Sequence, residues 1–223
     1  MATDITKIYE GVAADLHPEA LTGTTGVIEA ARHGLTAVYI SLGETIHAEK
    51  QLRNIPDAGP QLFKSAYPVI ENAVRQIDGS ITAVNKIAAD HQRAIDSNLA
   101  PKDAAVASEV RSYFRSLTPA KAHAAAIEAI RSGDIETTRA ILTGPSYLSG
   151  LDRSQQTALH DIAASTFNPD QHLGLEEARK AKAKLEHSLA TITKFARDKK
   201  IAWLPTTGAL LALNELNTKG RQS

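Results

Sequence analysis

The stretch "QLFKSAYPVIENAVRQIDGSITAVNKIAADHQRAIDSN", residues 61–98, decides how the rest of the chain is read. Phe63, Tyr67, Ile70, Val74, Ile77, Ile81, Val84, Ala88, His91 and Ile95 recur in alternating steps of four and three. That spacing puts them on one side of an α-helix, as the seam of a long antiparallel hairpin or coiled coil. At 1.5 Å per residue an unbroken helix here would be roughly 57 Å long. Pro68 and Gly79 oppose continuity. Proline lacks an amide donor, and an interior glycine costs about 1 kcal/mol relative to alanine. The seam keeps its phase across both residues, so the expectation is a kinked helix rather than a broken one.

Working outward, the same periodicity continues. A short helix is expected from about Asp4 to Leu16, stopping ahead of Pro18 because proline disfavours helical backbone in the residue before it. A second is expected from about Val27 to Leu52, with Ile28, Ala31, Leu35, Val38 and Leu42 on one face. Its piece "LTAVYISL" has β-propensity, but the three-four spacing runs through it and favours helix. "NIPDAGP" then turns the chain into the long segment.

Beyond residue 98 the helices shorten and the punctuation sharpens. Pro101 and Pro119 stand where a first helical residue is expected, with Thr118 as an N-cap. Gly133 ends one helix and Asp134 starts the next. "LTGPSYLSGLDRSQ" reads as a loop closing on the cap Asp152. "NPDQ" at 168–171 opens a long helix to about Lys199, with Leu175, Ala178, Ala181, Leu185, Leu189, Ile192 and Ala196 as its seam. The tail "LPTTGALLALNELNTKG" is expected to hold a final short helix. A domain boundary falls naturally near residues 98–103, dividing 1–99 from 100–223; the two halves sharing one bundle is the alternative.

Composition narrows the function. The chain has 223 residues, 25 Lys plus Arg against 25 Asp plus Glu, and no cysteine. Disulfides, thiolate catalysis and Cys-ligated zinc are excluded. A nucleic-acid binder ordinarily carries a basic excess, which a net charge of zero does not supply overall, though a local patch stays open. No run of about 18 apolar residues exists for a membrane span. "MATDITKIYEG" lacks the basic start and apolar core of a signal peptide. Only 4% of residues are aromatic while alanine is abundant, which favours helices packed closely through small side chains.

Four stretches invite a chemical reading. "LTGTTGVIEAARHG", residues 21–34, resembles a phosphate loop in its glycines. It lacks a preceding strand and the Lys and Ser/Thr that follow the last glycine of such loops. Thr24, Thr25 and Gly26 read instead as a helix start, with Glu29 in the first turn. Glu44 and His47 stand at i and i+3, as in di-iron bundles, but no second Glu-x-x-His completes the set. His91, on the seam, reads as a polar residue that fixes register. His160 and Asp161 are adjacent on a helix and so point apart. "AHAAAIEAIRSGDIETTRAIL" imitates a helix-turn-helix, yet its second helix carries acidic residues and a single Arg, Arg139. No catalytic, cofactor or metal residue is assigned, and no enzyme activity is expected.

One segment, "AIRSGDIETTRAILTGPSYLSGLDRSQQTALHDIA", resembles helical proteins of unassigned role from tailed bacteriophages. The likeness rests on Gly133 and Asp134, on Ala140, Ile141 and Leu142, and on Pro145 with Tyr147 to Leu151. It covers less than a fifth of the chain and supplies no catalytic residues. What the resemblance implies is a viral gene product, a virion component.

The expectation is therefore an all-α protein: a long helical hairpin over about 25–98 joined to a compact helical bundle. Its expected role is structural, packing helix faces against copies of itself or other structural proteins, in the cytoplasm or, following the resemblance, in a virion. A small adaptor that binds one partner protein is the alternative. No membrane, nucleic-acid or small-molecule partner is expected.

Overall fold

The structure is a computed structural model in which residues 9–55 and 58–204 are described. Among them every regular element is helical. The long ones are α1 (Gly26–Leu52), α2 (Ala58–Asn98) and α7 (Pro169–Trp203). Between α2 and α7 lie α3 (Ala104–Ser116), α4 (Pro119–Arg131), α5 (Ile135–Leu142) and α6 (Arg153–Phe167). The all-α expectation holds, and "LTAVYISL" lies within α1.

Helix α2 runs without a break through Pro68 and Gly79. Both residues are exposed, so the missing proline amide and the bare glycine fall on the solvent side. The buried line along α2 differs from the expected seam. Ile70, Ile77, Val84 and Ile95 are buried as expected, but Phe63, Tyr67, Val74, Ile81, Ala88 and His91 are only half-buried. The deepest positions between them are Leu62, Ala66, Ala73 and Ser80. Large apolar side chains mark a seam by hydrophobicity, whereas close backbone approach selects small ones. That second criterion is invisible to an apolar count.

Two further expectations are corrected. No helix runs from Tyr9 to Ala13; a turn leads into a single 3-10 turn at Ala14–Leu16. Gly11 sits at φ +92°, a left-handed conformation that no helix contains. Residues 4–8 of that expected helix lie outside the described residues, as does the expected helix in the tail. Pro101 does not open α3. Asp103 does, because its carboxylate accepts from the amides of Ala105 (2.7 Å) and Val106 (3.1 Å). Thr118 and Thr25 stand at the N-caps expected of them, but neither makes a side-chain cap bond.

The chain divides into two compact units, Met1–Asn85 with Arg179–Ser223 and Lys86–Ala178. The division therefore runs through α2 and α7 and not through the 98–103 connection. In the first unit, α1, the start of α2 and the larger part of α7 pack through small residues. Gly34 of α1 lies so close to α2 that an added Cβ would stand 2.8 Å from Ser80 Oγ and 2.9 Å from the Ile77 Cα. Gly59 of α2 lies equally close to the Trp203 carbonyl of α7, at 2.7 Å.

The second unit is built around α5. This eight-residue helix has Thr138, Arg139, Ala140, Ile141 and Leu142 all buried. So short a helix is unstable alone, and its terminal carbonyls need partners. Arg111 donates to the Ala140 carbonyl (3.2 Å), Ser149 to Ile141 (3.0 Å) and Gln156 to Leu142 (3.0 Å). Ile95, Phe114, Ile130, Ile141 and Leu159 form the apolar centre around it.

Helix α6 starts with a complete capping box. Asp152 accepts from the Gln155 amide (2.8 Å), and the Gln155 side chain accepts from the Asp152 amide (3.0 Å). The Gln155 amide, then the Ser154 hydroxyl, hold the Asp152 carboxyl below its usual pKa. A depressed carboxylate adds stability above its unfolded pKa near 4 and loses it as pH falls through the lower folded value. Asp152→Asn, which cannot titrate, is expected to melt below the wild type at neutral pH. The gap should close below about pH 4; thermal melts from neutral to acidic pH check this.

Candidate functional site and interaction surfaces

The residues that invited a chemical reading do not converge. Glu44 and His47 are both exposed on α1, and the His47 ring contacts Gln51 Nε2 at 2.9 Å. His91 lies on α2 directly over Gly174 of α7; an added Cβ there would meet its ring at 2.4 Å. His91 therefore fills space left by a glycine. Among the described residues no three His, Asp or Glu gather as a metal site. His160 and Asp161 face different helices: His160 stands 3.7 Å from Asp96 of α2, and Asp161 stands 3.9 Å from His172 of α7. Arg139, the one cation of the imitated recognition helix, is buried. Its Nε donates to the Asn98 carbonyl (2.7 Å), Nη2 to the Asn98 side chain (3.1 Å) and Nη1 to Glu136 (2.7 Å).

What the structure offers instead are surfaces, and α7 carries the most distinctive one. From 179 to 200 it holds eight Lys and Arg against Glu186 and Asp198. Its inward line is Ala181, Leu185, Ser188 and Ile192, all buried. Its outward side includes Ala190, Lys194, Arg197 and Ile201, in steps of four, three and four, so they form one stripe. A shallow depression of about 380 Å³ lies between Glu186, Leu189, Lys194 and Arg197. Ile201 at the end of the stripe is 71% exposed.

The C-terminal end of α7 is latched to α1. Glu49 accepts from Lys199 and from the Trp203 indole at 2.9 Å. Beside this latch is an open groove of about 610 Å³, with Ile46, Leu52, Ile55, Leu62 and Trp203 along its sides and Arg53 at its rim. A concave apolar surface with a few polar groups is the usual form of a small binding site.

In the second unit, residues 154–178, from α6 into the start of α7, hold no Lys or Arg. Asp161 and Asp170 are exposed there, whereas Glu177 is buried. Asp96 and Asp161 are more than half exposed, and the apolar side chains of Ile162 (41%) and Leu173 (46%) are also exposed in this unit. The groove beside Trp203 escaped the sequence reading because its residues come from separate helices.

No helix among the described residues is long and apolar enough to cross a membrane. No family model, no curated protein and no solved structure matches this chain.

Proposed function

We propose that the chain is a non-enzymatic assembly protein whose helix faces pack against further copies of itself, as a component of a larger structure. The observation that carries this is the set of large apolar side chains left in solvent: Tyr113 is 62% exposed, Tyr147 70% and Ile201 71%. On α7 Ile201 ends the exposed stripe that Ala190, Lys194 and Arg197 form. The resemblance to tailed-phage helical proteins supports a place in a virion.

The test is light scattering coupled to size exclusion on the untagged protein. A discrete multimer is expected. A monomer at the highest soluble concentration would remove this reading. In that case the groove beside Trp203 supports the second reading, an adaptor that seats an apolar segment of one partner protein there.

A further inference from the structure

The groove beside Trp203 is apolar within and lies wholly in the first unit. Helix α1 supplies Ile46 and Leu52, α2 supplies Leu62, α7 supplies Trp203, and Ile55 follows the end of α1. Ile55 is 47% exposed, so this wall still presents apolar surface to solvent. The end of α7 is fixed here. The Trp203 indole donates to Glu49 (2.9 Å), and Gly59 leaves room for the Trp203 carbonyl against α2, where an added Cβ would stand 2.7 Å from it. The chain therefore leaves α7 through Leu204, directly beside the groove.

Residues 205–223 follow Leu204, and within them residues 210–216 hold four leucines, Leu210, Leu211, Leu213 and Leu216. Leucines at this density gain by leaving water, and a concave wall drawn from three helices covers them better than the convex side of one. Reach is sufficient. The six residues from Leu204 to Leu210 span up to about 20 Å when extended, and Pro205 and Gly208 are residue types that reverse a chain. Charge is complementary as well. Glu215 is the only acidic side chain of residues 205–223. At the groove Glu49 is engaged by Lys199 and Trp203, and Lys50 by Glu10. That leaves Arg53, exposed at the rim, as the charge that an incoming segment meets.

We infer that residues 210–216 seat in this groove of their own chain, with Glu215 toward Arg53. Tethering decides between the same chain and a neighbour. Through a short linker the segment meets its own groove at an effective concentration in the millimolar range, far above that of a second copy in dilute solution. The segment is then a built-in occupant, and a partner's apolar segment has to displace it before binding there. The inference does not rest on the assembly reading: a monomer and a multimer both accommodate it, so light scattering decides that reading separately.

The chain has no cysteine, so disulfide trapping in the full chain reports only on the thiols introduced. Ile55→Cys is paired in turn with Leu210→Cys, Leu213→Cys and Leu216→Cys, and Asp78→Cys replaces Ile55→Cys in the controls. Asp78 is exposed and lies sixteen residues beyond Leu62, roughly 24 Å along α2. A disulfide closes only where the Cβ atoms approach within about 4.5 Å. Circular dichroism melts verify that each variant folds. At least one Ile55 pair is expected to close within one chain about tenfold or more faster than any control, at a rate indifferent to dilution. A bond that joins two copies and slows on dilution overturns the inference in favour of a segment from a second copy. Closure no faster than the controls overturns it outright. A labelled peptide of residues 205–223 gives a second readout by fluorescence anisotropy. It is expected to bind the full chain carrying Leu210→Asp/Leu213→Asp/Leu216→Asp about tenfold or more tighter than the wild type, because the altered segment vacates the groove. Equal affinity for the two, or binding to neither, overturns the inference.

Discussion

Replacing Arg139 with methionine is expected to destabilise the second unit by about 2–4 kcal/mol, among the largest effects of any single side chain in this protein. Methionine keeps the apolar stem but removes all three donors. The guanidinium is 5% exposed and serves the end of a different helix: its Nε and Nη2 hold the carbonyl and side chain of Asn98, the last residue of α2. A cation there satisfies terminal carbonyls and opposes the negative end of the dipole. A hydrogen bond to a charged group contributes roughly 1.5–3 kcal/mol. The third bond, to half-exposed Glu136, adds little because water replaces it. Arg139→Lys should recover only part of the loss, since one ammonium cannot reproduce the planar fork. Urea unfolding followed by circular dichroism measures the difference. A change below about 1 kcal/mol would mean that water caps α2 equally well.

The second large effect is expected at Gly34. Gly34→Val places a branched side chain where even a Cβ would stand 2.9 Å from backbone, the Ile77 Cα. Helix α1 would have to move away from α2, and overpacking of this kind costs about 1–3 kcal/mol and occasionally more. The gain in helix propensity on leaving glycine, a few tenths of a kcal/mol for valine, does not offset it. We expect a net loss of at least about 2 kcal/mol. Gly79 is the internal control. It is also a mid-helix glycine, but nothing lies within 4 Å of its added Cβ. Gly79→Ala should therefore stabilise α2 by about 0.5–1 kcal/mol. Thermal melts of the two variants should move in opposite directions; a shared direction would show that backbone propensity, and not helix contact, governs both glycines.

These two glycines also show how far the chain could be read as a string of letters. Both appear as helix-weakening residues, and nothing local tells them apart. Only the arrival of α2 opposite Gly34 makes one indispensable and leaves the other a liability. His91 follows the same logic. Its place on the heptad seam was legible, but its role as the filler over Gly174 depends on a residue 83 positions away.

The sequence by itself determined the helical class, the continuity of α1, α2 and α7, and the caps at Asp134 and Asp152. Each of these is decided within a few residues, by hydrophobic period or by a side chain reaching its own backbone. Tertiary structure alone decided which residues line α2, because helix approach favours Ala66, Ala73 and Ser80 over larger neighbours. It alone turned Arg139 inward to cap another helix, brought Trp203 and Lys199 to Glu49, and gathered Asp96 with His160 and Asp161 with His172. Those arrangements join residues from different helices, and local periodicity carries no information about which helix end meets which.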